Sequence, residues 1–130
     1  MRDYYILIID DDEDIRNLIK ASLEVYLRLP LGIDVATSAE EALRYSKDKS
    51  YNLIITDYKL PGLSGVEFVD KLRKFKRHLS TPIVFISGFM KELISETNAK
   101  KFDNVAFLDK PFEIDKLLSH VEMICLNSVA

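Results

Sequence analysis

Residues 52–57 have the sequence Asn52-Leu53-Ile54-Ile55-Thr56-Asp57, and a turn at Leu60-Pro61-Gly62 follows closely. A continuous aliphatic run of this kind is typical of a strand that is buried on both faces, as in a parallel sheet. Ligands of such sheets collect just beyond the carboxyl ends of the strands, which is where Asp57 stands. An aspartate that merely enters a loop is the simpler interpretation of Asp57 alone, so the other strand ends decide its role.

The composition is that of an ordinary globular domain, with 48% hydrophobic and 30% charged residues among 130. This length favours a single domain over residues 1–130. A net charge of −3 gives no general reason to expect binding to nucleic acid or to a membrane surface. The apolar runs are too short to span a bilayer, and the first residues lack a signal-peptide pattern. The single cysteine, Cys125, excludes an intramolecular disulfide and fits a reducing cytoplasm, where we expect the protein to act.

Strand-like and helix-like patterns alternate five times along the chain. The strand patterns cover residues 4–9, 33–36, 52–57, 83–86 and 105–108. The helix patterns begin near residues 15, 38, 64, 90 and 113. This alternation predicts an α/β fold in which helices cover both faces of a parallel five-stranded sheet. Right-handed crossovers leave few strand orders, and one common order is 2-1-3-4-5, with a switch point between the first and third strands. The second strand alternates in polarity, so we expect it at an edge.

Local signals support the predicted helices. The first helix has an apolar face at helical spacing, formed by Ile15, Leu18, Ile19, Leu23 and Leu27. Pro30 and Gly32 are expected to end it. Ser38 and Ser64 each begin a capping-box pattern, with a glutamate three residues later. The helix over residues 90–101 has the weakest support, because its apolar face is thin.

Three acids follow the first and third predicted strands. Asp10 and Asp11 come directly after the first strand, and Asp57 ends the third. In the order 2-1-3-4-5 these strands are neighbours, so the three carboxylates would meet across one crevice and repel each other. A hard divalent cation would compensate this charge, and Mg²⁺ suits a site that also holds phosphate oxygens. We assign the remaining acids of residues 12–14 to the N-terminus of the following helix, where the helix dipole favours negative charge.

The fourth and fifth predicted strands are followed by a hydroxyl and a cation, Ser87 and Lys110. Either residue alone could be a turn former or a solvated surface side chain. Beside a metal site they suit a phosphoryl group, whose oxygens need donors and positive charge during transfer. Asp57 would then be the nucleophile that forms an acyl phosphate. His78 and His120 fall in helical patterns and are expected at the surface instead of in this role.

Four ordered motifs contain these residues. They are Ile8-Ile9-Asp10-Asp11 with Asp14-Ile15-Arg16, Thr56-Asp57-Tyr58-Lys59-Leu60-Pro61-Gly62 with Gly65, Pro82-Ile83-Val84-Phe85-Ile86-Ser87-Gly88, and Phe107-Leu108-Asp109-Lys110-Pro111-Phe112. Each motif is weak alone, but the ordered set is highly specific. Through it, essentially the whole chain resembles the receiver domain of response regulators, the phosphoacceptor module of two-component signalling. The resemblance implies the flavodoxin-like version of the fold predicted above.

The resemblance also implies a role for each residue around the metal. Asp57 would take a phosphoryl group from a histidine kinase or a phosphotransfer protein, in a reaction that needs Mg²⁺. Asp11 would bind the metal directly, Asp10 mainly through a metal-bound water, and Asp57 would itself be a ligand. The backbone carbonyl of Lys59 would complete the protein ligands. Such a receiver is not an enzyme for external substrates, because it catalyses only its own phosphorylation and, slowly, its own dephosphorylation.

By the same resemblance, Ser87 and Lys110 would contact the phosphoryl oxygens, and the peptide bond before Pro111 would be cis. Attraction of the Ser87 hydroxyl would shift its loop, and Phe107 would turn inward to fill the space. A permanent core position is the alternative for Phe107, and the sequence favours neither. Partner proteins would recognise the modified state on the face formed by the fourth helix, the fifth strand and the fifth helix.

Three other interpretations compete with a phosphorylated receiver. A phosphohydrolase of the haloacid-dehalogenase type carries a second aspartate two residues after its nucleophile, but here that position is Lys59. A receiver that signals without phosphorylation usually lacks an acid, the hydroxyl or the lysine, and this sequence retains all of them. A basic run could suggest nucleic acid, but a solvated helix end explains it better. The run consists of Lys71, Arg73, Lys74, Lys76, Arg77 and His78.

The output of the switch stays open at this point. The sequence is compatible with a single-domain regulator that works by protein contact, and equally with a receiver taken from a longer protein. The cognate kinase, the lifetime of the phosphoryl group and a phosphorylation-dependent homodimer are also open.

Overall fold

The computed structural model describes residues 4–27 and 31–129, and side chains as far as residue 124. The strands are β1 Tyr4–Ile9, β2 Leu31–Ala36, β3 Leu53–Asp57, β4 Ile83–Ser87 and β5 Val105–Asp109. The helices are α1 Glu13–Tyr26, α2 Ala39–Asp48, α3 Gly65–Leu72, α4 Met90–Lys100 and α5 Ile114–Val129, with a 3₁₀-helix at Lys76–His78. The five strands form one parallel sheet in the order β2-β1-β3-β4-β5. The predicted fold class, strand order and edge position of β2 are therefore confirmed.

The register of the sheet brings the functional strand ends to one edge. Ile9 at the end of β1 is level with Thr56 of β3, so the residues that follow both strands emerge together. Asp57 is level with Ile86 of β4, and Ser87 is level with Asp109 of β5. Since all strands run in the same direction, their carboxyl ends form a single crevice at this edge.

Alternate strand residues supply two separate apolar cores. The first core lies between the sheet and α2, α3 and α4, and its largest buried members include Leu7, Ile54, Phe68, Phe85 and Leu93. The second lies between the sheet and α1 and α5, and includes Ile6, Ile8, Leu23, Leu117 and Val121. Because the central strands contribute to both cores, they need apolar side chains on both faces, which explains their continuous aliphatic sequences.

The helix starts are fixed by side-chain caps. The Asp12 carboxylate accepts hydrogen bonds from the first-turn amides of α1. Ser64 and Glu67 form the complete reciprocal capping box predicted for α3. At α2 the Ser38 hydroxyl accepts from the amide of Glu41, as the capping box predicts. The Glu41 carboxylate accepts from the amide of Thr37, one residue before the position that the capping box predicts.

Two details of the first helix were predicted wrongly. Leu18 is 49% exposed, and the buried positions of α1 are instead Ile19, Ser22 and Leu23. Gly32 does not end the helix but lies within β2, where the ring of Tyr5 packs so closely that a Cβ atom would clash with it. Pro30 lies outside the described residues. Among those residues, no helix has the length and apolar character needed to cross a membrane.

His78 is fully buried, contrary to the surface position predicted for it. Its Nε2 lies 2.8 Å from the Ser46 carbonyl oxygen and 2.9 Å from that of Lys49, and because both oxygens can only accept, Nε2 is the protonated nitrogen that donates to them. Its Nδ1 accepts from the Thr81 hydroxyl at 3.0 Å. The polypeptide turns into the 3₁₀-helix after α3, and this turn directs His78 inward. The other histidine, His120, is half-buried on α5.

The basic run is only partly the solvated helix end that the sequence predicts. Arg73 is half-buried and ties three segments together through carbonyl oxygens. Its Nη1 donates to His78 at 2.9 Å and to Thr81 at 2.7 Å, and its Nη2 donates to Asp103 at 2.9 Å. The remaining cations of the run are exposed. Arg73 and His78 thus stabilise the end of the sheet opposite the crevice.

The burial of His78 predicts a loss of stability in mild acid. Burial lowers the pKa of His78, and the charges of Arg77 and Arg73 lower it further. On acidification the unfolded chain therefore takes up the proton first, so the contribution of His78 is complete above about pH 6.5 and falls below it. We expect the free energy of unfolding to decrease below this pH by at most about 1.4 kcal/mol per pH unit from this group.

Urea titrations between neutral pH and pH 5 would measure this effect. In His78→Gln the amide can still donate to a carbonyl but cannot titrate, so this part of the acid sensitivity should disappear. The matched control His120→Gln should keep it. Equal acid sensitivity in wild type and His78→Gln would contradict the assignment.

Candidate functional site

Three carboxylates meet in the crevice between β1 and β3. Asp10 follows β1 and is 1% exposed, Asp57 ends β3 and is 7% exposed, and Asp11 is exposed at the mouth of the crevice. One carboxylate oxygen of each residue lies within 4.8 Å of the others. The structure therefore brings together the three acids that the sequence placed at neighbouring strand ends. This spacing allows them to hold one metal ion through oxygen ligands.

Asp10 is held in place by the chain around it. Its Oδ1 accepts from the amide of Asp12 at 2.9 Å, and its backbone carbonyl accepts from Nη1 of Arg16 at 2.8 Å. Burial raises the pKa of Asp10, and the nearby charge of Asp57 adds to this, while the Asp12 amide and Lys110 oppose it. A buried carboxylate beside a second one needs positive charge to stay ionised.

Lys110 supplies positive charge from the far side of the crevice. Its Nζ lies 2.9 Å from Oδ2 of Asp57 and 3.5 Å from Oδ2 of Asp10. Burial alone would lower the pKa of Lys110, but the hydrogen bond to Asp57 and the charges of both aspartates outweigh it, so the pKa is raised. The Lys110 amide donates to the Ser87 carbonyl at 2.9 Å, and the peptide bond to Pro111 is cis.

Ser87 ends β4, the strand next to β3, and Phe107 lies on β5, one strand farther from Asp57. Ser87 is buried at the end of β4, and its Oγ accepts from the amide of Phe89 at 2.7 Å. The hydroxyl hydrogen of Ser87 can therefore be donated elsewhere. Phe107 is half-buried, and its ring stacks on Phe85 with centroids 6.1 Å apart. In this structure Phe107 already packs against the core, and an inward turn on phosphorylation stays a prediction.

The loop after Asp57, residues 58–64 (the β3 loop), is shaped by a close approach of α3. The Gly65 amide donates to the Tyr58 carbonyl at 2.8 Å. A Cβ atom at Gly65 would collide with the carbonyl oxygen of Asp57, so only glycine allows this contact. Gly62 turns the same loop with a φ of 75°. The backbone geometry of this loop therefore explains why the motif around Asp57 contains both glycines.

Sequence reasoning missed the contacts that the next two residues make with α4. The buried ring of Tyr58 directs its hydroxyl to Oε2 of Glu96 at 2.8 Å. The Lys59 ammonium lies 3.1 Å from Oε1 of Glu92, and Lys59 and the Tyr58 hydroxyl lower the pKa of Glu92. A signal did exist, because glutamates four residues apart lie on one helical face. Their partners on the β3 loop could not be deduced from this spacing.

The arrangement combines a nucleophile, a possible metal site and donors for an anion. Three carboxylates face one ammonium, which leaves two negative charges that a divalent cation would balance. A carboxylate oxygen of Asp57 is the candidate nucleophile, while Lys110 and Ser87 are the nearby donors. These groups suit the transfer of a phosphoryl group to Asp57.

Comparison with known proteins agrees with this chemistry. Residues 6–122 match the family described as the response regulator receiver domain. The regulatory protein VanRB of Enterococcus faecalis is 32% identical over 127 residues, which cover 96% of this chain and 54% of that protein. The transcriptional regulatory protein FixJ of Rhizobium meliloti is 30% identical over 131 residues, which cover 100% of this chain and 61% of that protein. The chain thus spans a little over half the length of these two relatives.

Solved structures with the same fold include other receivers. The chemotaxis response regulator CheY4 of Vibrio cholerae matches with a TM-score of 0.83 and 25% identity, covering 95% of this chain and 99% of that one. The receiver domain of the Francisella response regulator 1452 matches with a TM-score of 0.79 and 28% identity, covering 96% and 98% of the two chains.

The crowded carboxylates predict an unusual stabilising substitution. Without divalent cations, Asp11→Asn removes one of three mutually repelling charges, so its Tm should exceed that of wild type by about 1–4 °C. Adding a divalent cation should stabilise wild type more than the variant, because the variant lacks a charged ligand. Thermal unfolding with EDTA and with Mg²⁺ measures both effects. The control Glu122→Gln removes an exposed charge on α5 and should show neither, whereas a lower Tm for Asp11→Asn in EDTA would contradict the repulsion.

Proposed function

This chain belongs to the family of response regulator receiver domains, and we propose that it is a signalling switch that accepts a phosphoryl group on Asp57. The observation that carries the proposal is the Lys110 ammonium, which lies 2.9 Å from an Asp57 oxygen and 3.5 Å from an Asp10 oxygen, within a cluster that also contains Asp11. The phosphodonor would be a histidine kinase or a phosphotransfer protein. The domain is a regulatory module, and the chemistry on Asp57 would be its own modification.

In the proposed reaction a carboxylate oxygen of Asp57 forms a bond to the donor phosphorus. The bond between phosphorus and the donor's imidazole nitrogen breaks, and the electron pair leaves with the imidazole. The product is an acyl phosphate on Asp57, and no oxidant or reductant is involved. Lys110 orients the Asp57 carboxylate through Oδ2 and then stabilises the charge on the transferred phosphoryl oxygens.

The residues present fit a hard divalent cation, and we propose Mg²⁺. Asp10, Asp11 and Asp57 offer oxygen ligands within 4.8 Å of one another, and the Lys59 carbonyl follows two residues after Asp57. When bound, Mg²⁺ would supply the positive charge that lets an anionic phosphoryl group approach three carboxylates. Arg16 and the Asp12 amide keep Asp10 in position for this role.

Ser87 is the second proposed contact of the phosphoryl group. Its hydroxyl can donate to a phosphoryl oxygen, and its position at the end of β4 joins it directly to the loop that leads into α4. A bond between Ser87 and the phosphoryl group would therefore bias this loop toward a second conformation. We propose that the face formed by α4, β5 and α5 reports the change to a partner protein or output domain. Phe107 on β5 belongs to this face, and a movement of its ring would be part of the change.

Several wider features of the protein belong to the same proposal. We propose that residues 1–130 form one receiver domain, which is supported by a single sheet and by the match over residues 6–122. We place its action in the cytoplasm, where a single-cysteine chain stays reduced. Its direct partners would be proteins, not nucleic acid, and the modified form could also pair with a second copy.

Phosphoryl incorporation from acetyl phosphate tests the proposal. Wild type with Mg²⁺ should gain one phosphoryl group by intact mass, and neither wild type in EDTA nor Asp57→Asn should gain it. Asp34→Asn is a matched control, because Asp34 is also a strand aspartate with a lysine partner, at 2.7 Å, but lies away from the crevice. This variant should incorporate like wild type.

Two outcomes would contradict the proposal. Incorporation that persists in Asp57→Asn would place the acceptor elsewhere. Failure of folded, cation-loaded wild type to react with both acetyl phosphate and a purified phosphodonor protein would indicate a receiver that signals without phosphorylation.

A further inference from the structure

Tyr58 and Lys59, the two residues that follow the phosphoacceptor, both contact α4. The Tyr58 hydroxyl donates to Glu96 at 2.8 Å, and the Lys59 ammonium pairs with Glu92 at 3.1 Å. Glu92 and Glu96 are one helical turn apart, so consecutive residues of the β3 loop bind successive turns of the same helix face. The β3 loop, which follows Asp57, is thereby connected to α4 without passing through Ser87.

These contacts matter because α4 has few others. Its Lys100 also pairs with Asp70 of α3 at 3.3 Å, but both side chains are close to half exposed, so water screens that pair. Only Leu93 and Thr97 of its residues are buried, whereas α3 is shorter and buries five residues. The start of α4 at Phe89 has no side-chain cap. A helix with so little buried surface is held to a large extent by its polar contacts, and small changes in them can shift it.

The two contacts differ in strength. Tyr58 is buried, and a hydrogen bond from its hydroxyl to a carboxylate is a strong one. The Lys59 and Glu92 side chains are each about half exposed, so water screens their ion pair. The Lys59 ammonium also lies 5.3 Å from the centre of the Phe89 ring, which keeps it near the entrance to α4. The tyrosine contact is therefore suited to hold the helix in place, and the lysine contact is suited to be replaced by an ion pair with another partner.

We propose that Tyr58 and Lys59 form a two-point tether that sets the position of α4, and that phosphorylation of Asp57 releases the Lys59 point. The release rests on the proposed function of Asp57, whereas the resting tether does not. A phosphoryl group on Asp57 carries about two negative charges in place of the single charge of the carboxylate, two residues before Lys59. The Lys59 ammonium then has a stronger partner than Glu92, and the first turns of α4 lose their link to the loop while Tyr58 keeps the second link.

Hydrogen exchange of the α4 amides, measured by mass spectrometry on the full chain, tests the tether without phosphorylation. Tyr58→Phe removes only the hydroxyl and should speed exchange in α4 about tenfold or more. Glu92→Gln removes the charge that binds Lys59 and should speed it about 1.5- to 5-fold. Tyr51→Phe is the matched control, because Tyr51 also donates to a carboxylate, that of Asp34 at 2.7 Å, but does so far from α4. It should leave α4 exchange at the wild-type rate.

The same samples after acetyl phosphate and Mg²⁺ test the release. On phosphorylation, amides at the start of α4 should exchange faster in wild type. The increase should be distinctly smaller in Glu92→Gln, because its contact with Lys59 is already absent. Wild-type exchange rates in Tyr58→Phe, or an equal increase in Tyr51→Phe, would overturn the tether. Intact mass separates the two proposals. If both proteins are phosphorylated and hydrogen exchange in α4 increases equally in wild type and Glu92→Gln, the release alone is overturned. If no phosphoryl group is incorporated, the proposed function and the release are overturned together. The resting tether is then judged from the unmodified protein.

Discussion

The convergence of three carboxylates on one ammonium is the interaction on which the rest of the site depends. Lys110 reaches across the crevice from the end of β5 and touches both buried aspartates. One ammonium cannot balance three negative charges, so the folded protein keeps excess negative charge in the crevice. This excess charge is unfavourable for the folded state, and a divalent cation bound among the carboxylates would offset it.

The sheet makes this convergence unavoidable. Because β1 and β3 are parallel neighbours, the residues after them must emerge at the same place, and the crossover helices lie on opposite faces and leave the gap open. Gly65 then lets α3 approach the Asp57 backbone, which fixes the direction of the loop that follows. This loop begins with Tyr58 and Lys59, whose contacts connect the end of β3 to α4.

The sequence predicted the parts of this protein that depend on local pattern. Continuous aliphatic strands, their alternation with helices and the acids at their ends were sufficient for the fold and for the meeting of Asp10 with Asp57. It failed where long-range packing overrides pattern. His78 ends a basic run, yet a turn after α3 buries it against carbonyls of residues 46 and 49, more than 25 positions earlier. The bond from Tyr58 to Glu96 joins residues 38 positions apart, and no periodicity reports such a pair.

The most direct measurement is a crystal structure with Mg²⁺ and beryllofluoride, whose fluorines stand in for phosphoryl oxygens. The account predicts beryllium bonded to Asp57, fluorines within hydrogen-bond distance of Lys110 Nζ and Ser87 Oγ, and a metal ion among the carboxylates of Asp10, Asp11 and Asp57. Beryllofluoride absent from Asp57 while the metal is bound, or bound there with Lys110 still directed only at the aspartates, would contradict the assignment of this crevice as a phosphoacceptor site.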